Sequence, residues 1–463
     1  MKNQYRQLAL ILLGFILLAC EKEETKLNIL SLSINNVPSN TLIKNISFTT
    51  NYATEACIEY WKYLDKSDIK TTLTTQKSCQ HTIPVILLEP DSDYSFTIVD
   101  KKTGQRSTAV YNLNTPKIDK DITDFFSEIN LNVKIDGYIL FSDQYNDYHI
   151  MLNNKGKIVW YNQFFPKGCL SSSFDMKDNY ISFLHGREAE QFCGTNISSY
   201  DLYGNEIFSF DNTELKSPLL HHDVIRLSNG DWIYPSFMDR EVDFSPLGIN
   251  EVRNVRGDGL VIIDRFGKEK WRWEGLDHID PLKDSDILSE DGAFGLLPVT
   301  GDFFHINAIA EDESGNLYFS SNRLEEFWKI DRNTGDVIYC LGKNGNIAIP
   351  SGAIPQFMHS ISLYKDEVMI FENGYSERGY SRILAYKVDE KSKSAILSRE
   401  IKLDEEYFSL RNGSVYVIND DYLLVNSTRA KTSLILDNTG KILSEIKMTR
   451  PSFRATYIPR IDL

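Results

Sequence analysis

The sequence predicts an all-β fold in which a small β-sandwich precedes a six-bladed β-propeller. Three observations carry this expectation. Aromatic residues make up 12% of the 463 positions, with 24 Tyr and 25 Phe, and such side chains pack well on the pleated surface of strands. Short segments alternate between apolar and polar residues, and the body of the chain lacks helical apolar periods. Beyond residue 131 a strand–turn–strand unit returns in six copies, as it does in the blades of a propeller.

The N-terminus, residues 1–20, reads as a lipoprotein signal peptide. Lys2 and Arg6 precede the apolar run from Leu8 to Ala19, which is too short to span a bilayer. The run ends in Leu17-Leu18-Ala19-Cys20, which resembles the bacterial lipobox and makes Cys20 the expected lipidated residue. Residues 21–27 form a tether. Within it Glu21-Lys22-Glu23-Glu24 reads equally well as a solvated acidic linker and as the Lys-acidic-acidic export signal of some surface lipoproteins. The expected location is the outer membrane of a Gram-negative bacterium, facing the periplasm or the cell surface.

Residues 28–116 read as the sandwich. Ile46 to Tyr52 alternates with period two, as half-buried strands do. Leu88, Pro90 and Tyr94 resemble the corner of fibronectin- and immunoglobulin-like domains, where a Tyr anchors the strand entrance. Residues 117–130 read as a linker with room for one helical turn. Outside the cytosol disulfides persist, so Cys57 with Cys79 and Cys169 with Cys193 are candidate pairs, leaving Cys340 as a buried thiol. The sequence has no Cys-x-x-Cys motif, which gives a zinc or redox role little support.

Residues 131–463 carry the repeat. Its copies are Met151 to Trp160, Tyr200 to Ile207, Ile262 to Lys268, Lys329 to Tyr339, Ala385 to Glu390 and Leu434 to Ile442. They lie about 48 to 68 residues apart, which fits blades of four strands with insertions. Most hold an Asp/Asn-x-x-Gly turn, because glycine takes the positive φ that a tight hairpin needs.

The formal charge of -15 argues against a nucleic-acid partner. Of the 8 histidines, three open the first strand of successive repeats: His222, His305 and His359. The first strand of every blade lines the central channel, so one repeat position converges on one ring around the axis. Ser171 and Asn412 are expected at the matching place in other repeats. A single such histidine is more often a hydrogen-bonded structural imidazole, but three at one position point to a shared site. His221 lies on the opposite strand face and is expected to pack. Three imidazoles can bind a metal or perform nucleophilic and acid–base chemistry on an anionic group. No Asp or Glu shares the position, which disfavours a hydrolytic metal site, and spacing does not settle the choice.

Several segments are similar to those of the bacterial PAPS-independent arylsulfate sulfotransferases (aryl-sulfate sulfotransferases). They are Leu220-His221-His222-Asp223-Val224, Phe304-His305-Ile306-Asn307-Ala308-Ile309, Ser320 to Gly342, Phe357-Met358-His359-Ser360, Phe371-Glu372-Asn373-Gly374, Ser381-Arg382 and Phe453 to Pro459. The likeness spans the mature chain. It implies the same sandwich-plus-propeller architecture, no cofactor and no metal. It also implies that His359 attacks the sulfur of an aryl sulfate and carries the sulfo group as sulfohistidine until a phenolic acceptor takes it, giving ping-pong kinetics. The departing phenolate has a conjugate-acid pKa of about 10, so His222 and His305 suit its protonation or stabilisation. Asn307 would donate to a sulfate oxygen. Arg323 is the expected cation, although the family places its Arg directly after Ser-Ser, where this chain has Asn322. A one-residue shift turns a strand side chain to the other face unless a bulge restores it. Arg378 and Arg382 are further sulfate-binding candidates, and Ser360 stands where the family usually has an acid.

The partners implied are a small aryl sulfate donor, a phenol acceptor and the membrane through the lipid anchor; a homodimer is compatible with this organisation. Two other readings stand beside this one. The displaced Arg323 suits a non-catalytic surface propeller that binds a glycan or phenolic ligand. The histidines also suit a metal-dependent propeller enzyme such as a lactonase or lyase.

Overall fold

The computed structural model describes residues 26–163, 171–185, 193–212, 220–283, 300–302, 304–350 and 352–462. The expected signal peptide with Cys20, most of the tether, and Cys169 lie outside the described residues. The described chain is all-β and its sheets are built almost wholly of antiparallel strands. No described helix is long and apolar enough to cross a membrane.

Two sheets open the chain. One pairs Ile29–Val37, Asn40–Thr54 and Ser78–Val85; the other pairs Lys70–Thr71, Ala56–Lys62, Asp93–Asp100 and Tyr111–Asn114. Period-two alternation turns Ile46 and Phe48 of the first against Ile58, Tyr60, Phe96 and Ile98 of the second in one core. The Tyr94 hydroxyl accepts the Glu89 amide at 2.8 Å, which fastens the corner expected from the sequence. Cys57 and Cys79 are free thiols and not the expected pair. Cys57 is buried within one sheet and Cys79 is exposed on the other, so their side chains do not meet. Cys340 is buried and donates to Glu326 Oε2 at 3.1 Å.

The stretch expected as a linker does more than connect. After the single turn Lys120–Thr123, the strand Phe126–Asn130 pairs with Ile442–Met448 and becomes the outer strand of the last sheet.

Six further sheets follow. The strands nearest the axis are Ser452–Ile458, Ser172–Asp175, Ile225–Arg226, Ile306–Glu311, Met358–Tyr364 and Ser414–Val417. Contacts run from the first to the second and on to the third. The third sheet's next strand, Trp232–Asp243, touches Ile306–Glu311, and the series continues through Met358–Tyr364 and Ser414–Val417 back to Ser452–Ile458. The sheets therefore close a ring. Closure is also stitched by backbone hydrogen bonds between the ends of the ring, because the strand Ser452–Ile458 pairs with Tyr138–Asp143 of the first of these sheets. The repeated turn has a local cause. Asp201 Oδ1 accepts the amides of Tyr203 and Asn205 at 2.9 and 2.8 Å, while Gly204 takes φ 87°.

Candidate active site

The three histidines meet around a cavity of about 170 Å³, also lined by Asn322, Arg323, Phe357, Leu410, Arg411 and Asn412. Their positions in the repeat differ from the expectation. His222 lies in the kink between Leu220–His221 and Ile225–Arg226 at φ 58°, and His305 precedes Ile306–Glu311 at φ 54°. The equivalent of His305 in the next sheet is Phe357, at φ 51°. Both carbonyls accept the amide of an asparagine two strands' turn away, Asn322 for His305 and Asn373 for Phe357, each at 3.0 Å. His359 sits two residues further on, at a bulge between Met358 and Ser360, and its counterpart is Asn307 at the matching bulge. Left-handed residues and bulges redirect side chains, so positions two apart face the same cavity. Asn412 shares the left-handed place at φ 58° and lines the cavity. Ser171 is buried and its hydroxyl donates to Asp223 Oδ1.

His359 is held in one tautomer. Asn373 is fully buried, and its amide nitrogen donates to Ser409 O at 2.6 Å and Asn412 O at 2.7 Å. Its oxygen can therefore only face His359 Nδ1, 2.7 Å away. An amide oxygen accepts, so Nδ1 carries the hydrogen and Nε2 keeps the lone pair. The backbone beside the ring is pinned as well, since Asn307 and Asn322 both donate to Met358 O, at 3.1 and 3.2 Å. Burial lowers the pKa of His359 to about 3, against a raising hydrogen bond from Asn373 and with further lowering by His305 and Arg454. The imidazole is neutral across ordinary pH.

His222 is also buried, and its pKa is pushed well below the usual range, first by desolvation and then by His305, His221, His359 and Arg454. Its ring centroid lies 4.6 Å from that of His305 in an edge-on contact. His305 is half-buried and closer to solvent. His221 does pack, stacked on Phe237 at 4.4 Å, but its Nδ1 also approaches His222 Nδ1 to 2.9 Å.

The site is thus a neutral, tautomer-locked imidazole with an unprotonated nitrogen, flanked by two more imidazoles and two arginines. The family model for arylsulfotransferase (ASST) matches residues 97–456. The chain belongs to the arylsulfotransferase family. No curated protein matches the sequence. Among solved structures it is similar to a putative 6-phosphogluconolactonase from Bacteroides fragilis, at 13% identity over 88% of this chain and 98% of that one, with a TM-score of 0.38. A streptogramin B lyase is similar at 12% identity over 77% and 87%, with a TM-score of 0.38. Catalytically inactive virginiamycin B lyase from Staphylococcus aureus is similar at 9% identity over 69% and 98%, with a TM-score of 0.34.

Within this candidate site the cations differ from expectation. Arg323 does line the cavity. It reaches it from the turn between Leu317–Ser321 and Glu326–Ile330, so the rule that a one-residue shift reverses a strand side chain does not apply. Arg378 and Arg382 do not line it. Arg378 Nη1 pairs with Glu372 Oε2 at 2.7 Å, and Arg382 Nη2 with Glu372 Oε1 at 2.9 Å. Glu372 is fully buried, and a buried carboxylate needs such partners; the two arginines neutralise it. Asn307 is also corrected: it is fully buried and its amide nitrogen is spent on Met358 O, so it orients the strand of His359. Ser360 Oγ accepts the Val415 amide at 3.4 Å.

Sequence reasoning missed Asn373, Arg411, Arg454 and Asp258 as members of the site or its support. Asn373 and Arg454 lay within the segments that carried the family resemblance. Arg411 adjoins Asn412 and is exposed on the cavity rim. Arg454 is buried, pairs with Asp223 Oδ1 at 2.8 Å and donates to Asn307 O at 2.6 Å. Among the described residues no group of three or more His, Cys, Asp or Glu side chains is disposed to hold a metal ion.

Proposed function

We propose that the protein is an aryl-sulfate sulfotransferase that moves a sulfo group from a phenolic sulfate ester to a phenol through sulfohistidine at His359, in ping-pong order and without PAPS. The observation that carries this reading is the Asn373 lock, which presents His359 as an unprotonated nucleophile beside acid–base partners. His359 Nε2 forms the N–S bond while the S–O bond breaks, and its electron pair leaves with the phenolate oxygen. His222 and His305 stand where they can protonate or stabilise that oxygen. Arg323 and Arg411 offset the charge of the sulfo oxygens. Phe357 and Leu410 supply an apolar wall for the aryl ring. In the second half-reaction the acceptor oxygen forms the S–O bond as the N–S bond breaks, and its proton passes to the base that served as acid.

Incubating the protein with a fluorogenic aryl sulfate tests the proposal. Without acceptor, intact mass should show one sulfo group on His359; with added phenol, release should become catalytic. Absence of phenol-dependent release, with His359→Asn indistinguishable from wild type, would sink it.

The chemistry is proposed to sit on a six-bladed propeller of residues 131–463 behind a sandwich of residues 28–116. Anchoring through Cys20 would hold it at the outer membrane. Fatty-acid labelling checks the anchor: wild type should incorporate label and fractionate with membranes, and Cys20→Ala should do neither.

A further inference from the structure

Behind His222, away from the cavity, lies a buried chain of polar atoms for which sulfo transfer at His359 has given no use. His222 Nδ1 is 2.9 Å from His221 Nδ1, so one nitrogen carries a hydrogen and the other accepts it. On the far side of the ring, His221 Nε2 faces Asp258 Oδ1 at 3.4 Å, both side chains being fully buried. Neither atom makes a hydrogen bond, to the other or to any third group, so this ion-pair-distance contact is their one polar approach. The second oxygen of Asp258 accepts the Ile306 amide at 2.6 Å. Stacking on Phe237 keeps the His221 ring in this plane. A carboxylate only accepts, so His221 Nε2 holds a hydrogen. A His221 ring with its one hydrogen there accepts at Nδ1, so that His222 donates from its own Nδ1 and keeps the lone pair on Nε2.

We infer that Asp258 and His221 form a relay that fixes His222 in its Nδ1–H tautomer, making His222 the base toward the acceptor phenol and the acid toward the departing phenolate. The inference rests on the sulfo-transfer reading above. In the acceptor half-reaction the phenol proton moves to His222 Nε2 as the oxygen bonds to sulfur and the N–S electron pair returns to His359. The resulting imidazolium shares its charge through His221 with Asp258. In the donor half-reaction the same proton passes to the oxygen leaving sulfur, so the cycle balances. Desolvation, His305, His221, His359 and Arg454 all oppose a cation on His222. Asp223, next in the chain, is paired with Arg454, and Arg256 lies beyond Phe237 with its guanidinium 4.3 Å from the ring. Asp258, reached through His221, is the group placed to favour that cation. His221 and Asp258 are positioning residues, since neither lines the cavity.

Asp258→Asn tests the relay. Asparagine has one acceptor oxygen, which stays with the Ile306 amide and turns its NH2 toward His221 Nε2. The chain then reverses, and His222 becomes the Nε2–H tautomer without a base. The expected result is a loss that depends on the leaving group. In a single turnover without acceptor, phenol release from a nitrophenyl sulfate, whose phenolate needs no proton, should stay within about 3-fold of wild type, whereas release from unsubstituted phenyl sulfate should fall by roughly 10²–10⁴-fold. His221→Gln should show the same split. Equal losses with both esters, or no loss with either, overturn the relay. Should the variants fail to fold, ring ¹⁵N spectra of histidine-labelled wild-type protein decide it, with the His222 signal assigned by its absence in His222→Gln. Nδ1–H on His222 supports the relay and Nε2–H overturns it. Failure of the sulfo-transfer reading would instead appear as wild-type protein that forms no adduct on His359.

Discussion

Replacing Asn373 by Asp changes one donor into one acceptor at nearly constant shape. The wild-type amide nitrogen serves two buried carbonyls, Ser409 O and Asn412 O. A carboxylate there leaves both facing an acceptor, at about 1–3 kcal/mol each, so Asn373→Asp should cost about 2–6 kcal/mol of stability at neutral pH. That is a large part of the 5–15 kcal/mol of about any domain. The loss should shrink in acid, where a protonated carboxyl donates to one carbonyl. The same exchange places a negative charge within hydrogen-bonding distance of His359 Nδ1. An opposite charge so close raises an imidazole pKa by about 1–3 units. In wild type His359 titrates at about 3, so single-turnover phenol release should hold steady down to mildly acidic pH. In Asn373→Asp the acidic limb should move up by about 1–3 pH units. Urea unfolding at two pH values and stopped-flow phenol release check both effects. An unmoved acid limb together with an unchanged unfolding midpoint would refute the claim that Asn373 orients the nucleophile.

Other expectations follow from the same geometry. His149 and His359 are both buried with pKa values lowered to about 3, below the ordinary value of about 6.5 for an unfolded histidine. The unfolded chain binds more protons between those values, so their contribution is present above about pH 6.5 and is lost as pH falls toward 3; the unfolding free energy from urea titration should drop by about 2 kcal/mol or more per group between pH 7 and 4.5. Arg454→Met leaves Asp223 buried without its cation and should cost about 3–5 kcal/mol, with Asp223→Asn restoring part of it in the double variant, as measured by denaturant unfolding. Arg323→Ala should raise KM for an aryl sulfate about 10-fold or more with little change in melting temperature. Arg382→Ala should do the reverse, since its partner is buried Glu372 and not the substrate; equal KM effects would contradict that assignment.

The turns were legible in the sequence because their cause is local: an Asp accepts amides two and four residues on, and Gly takes the positive φ. The histidines were legible through scarcity and repetition. Their true register was not, because a left-handed His222 or Phe357 and bulges at Asn307 and His359 leave no mark in an apolar pattern. Arg378 and Arg382 stood as further cation candidates in and near the Ser381-Arg382 stretch that resembled the family; only the third dimension shows Glu372 between them. Asn373 and Asp258 act through partners distant in sequence. Spacing holds no trace of such pairing, although the first stood inside a segment that resembled the family. Cys57 and Cys79 were paired on proximity in the chain, whereas alternate sheets keep them apart.

The strand that closes the ring also carries Arg454, whose guanidinium reaches Asp223 and the backbone of Asn307. That strand is therefore both the clasp of the ring and part of the support beneath the histidines. Without Ser452–Ile458 the first of the ring's sheets would lack its axial strand and Asp223 its buried counterion. Removing that strand would open the ring and strip Asp223 of its cation together. Ring closure and support of the histidines thus depend on the same few residues.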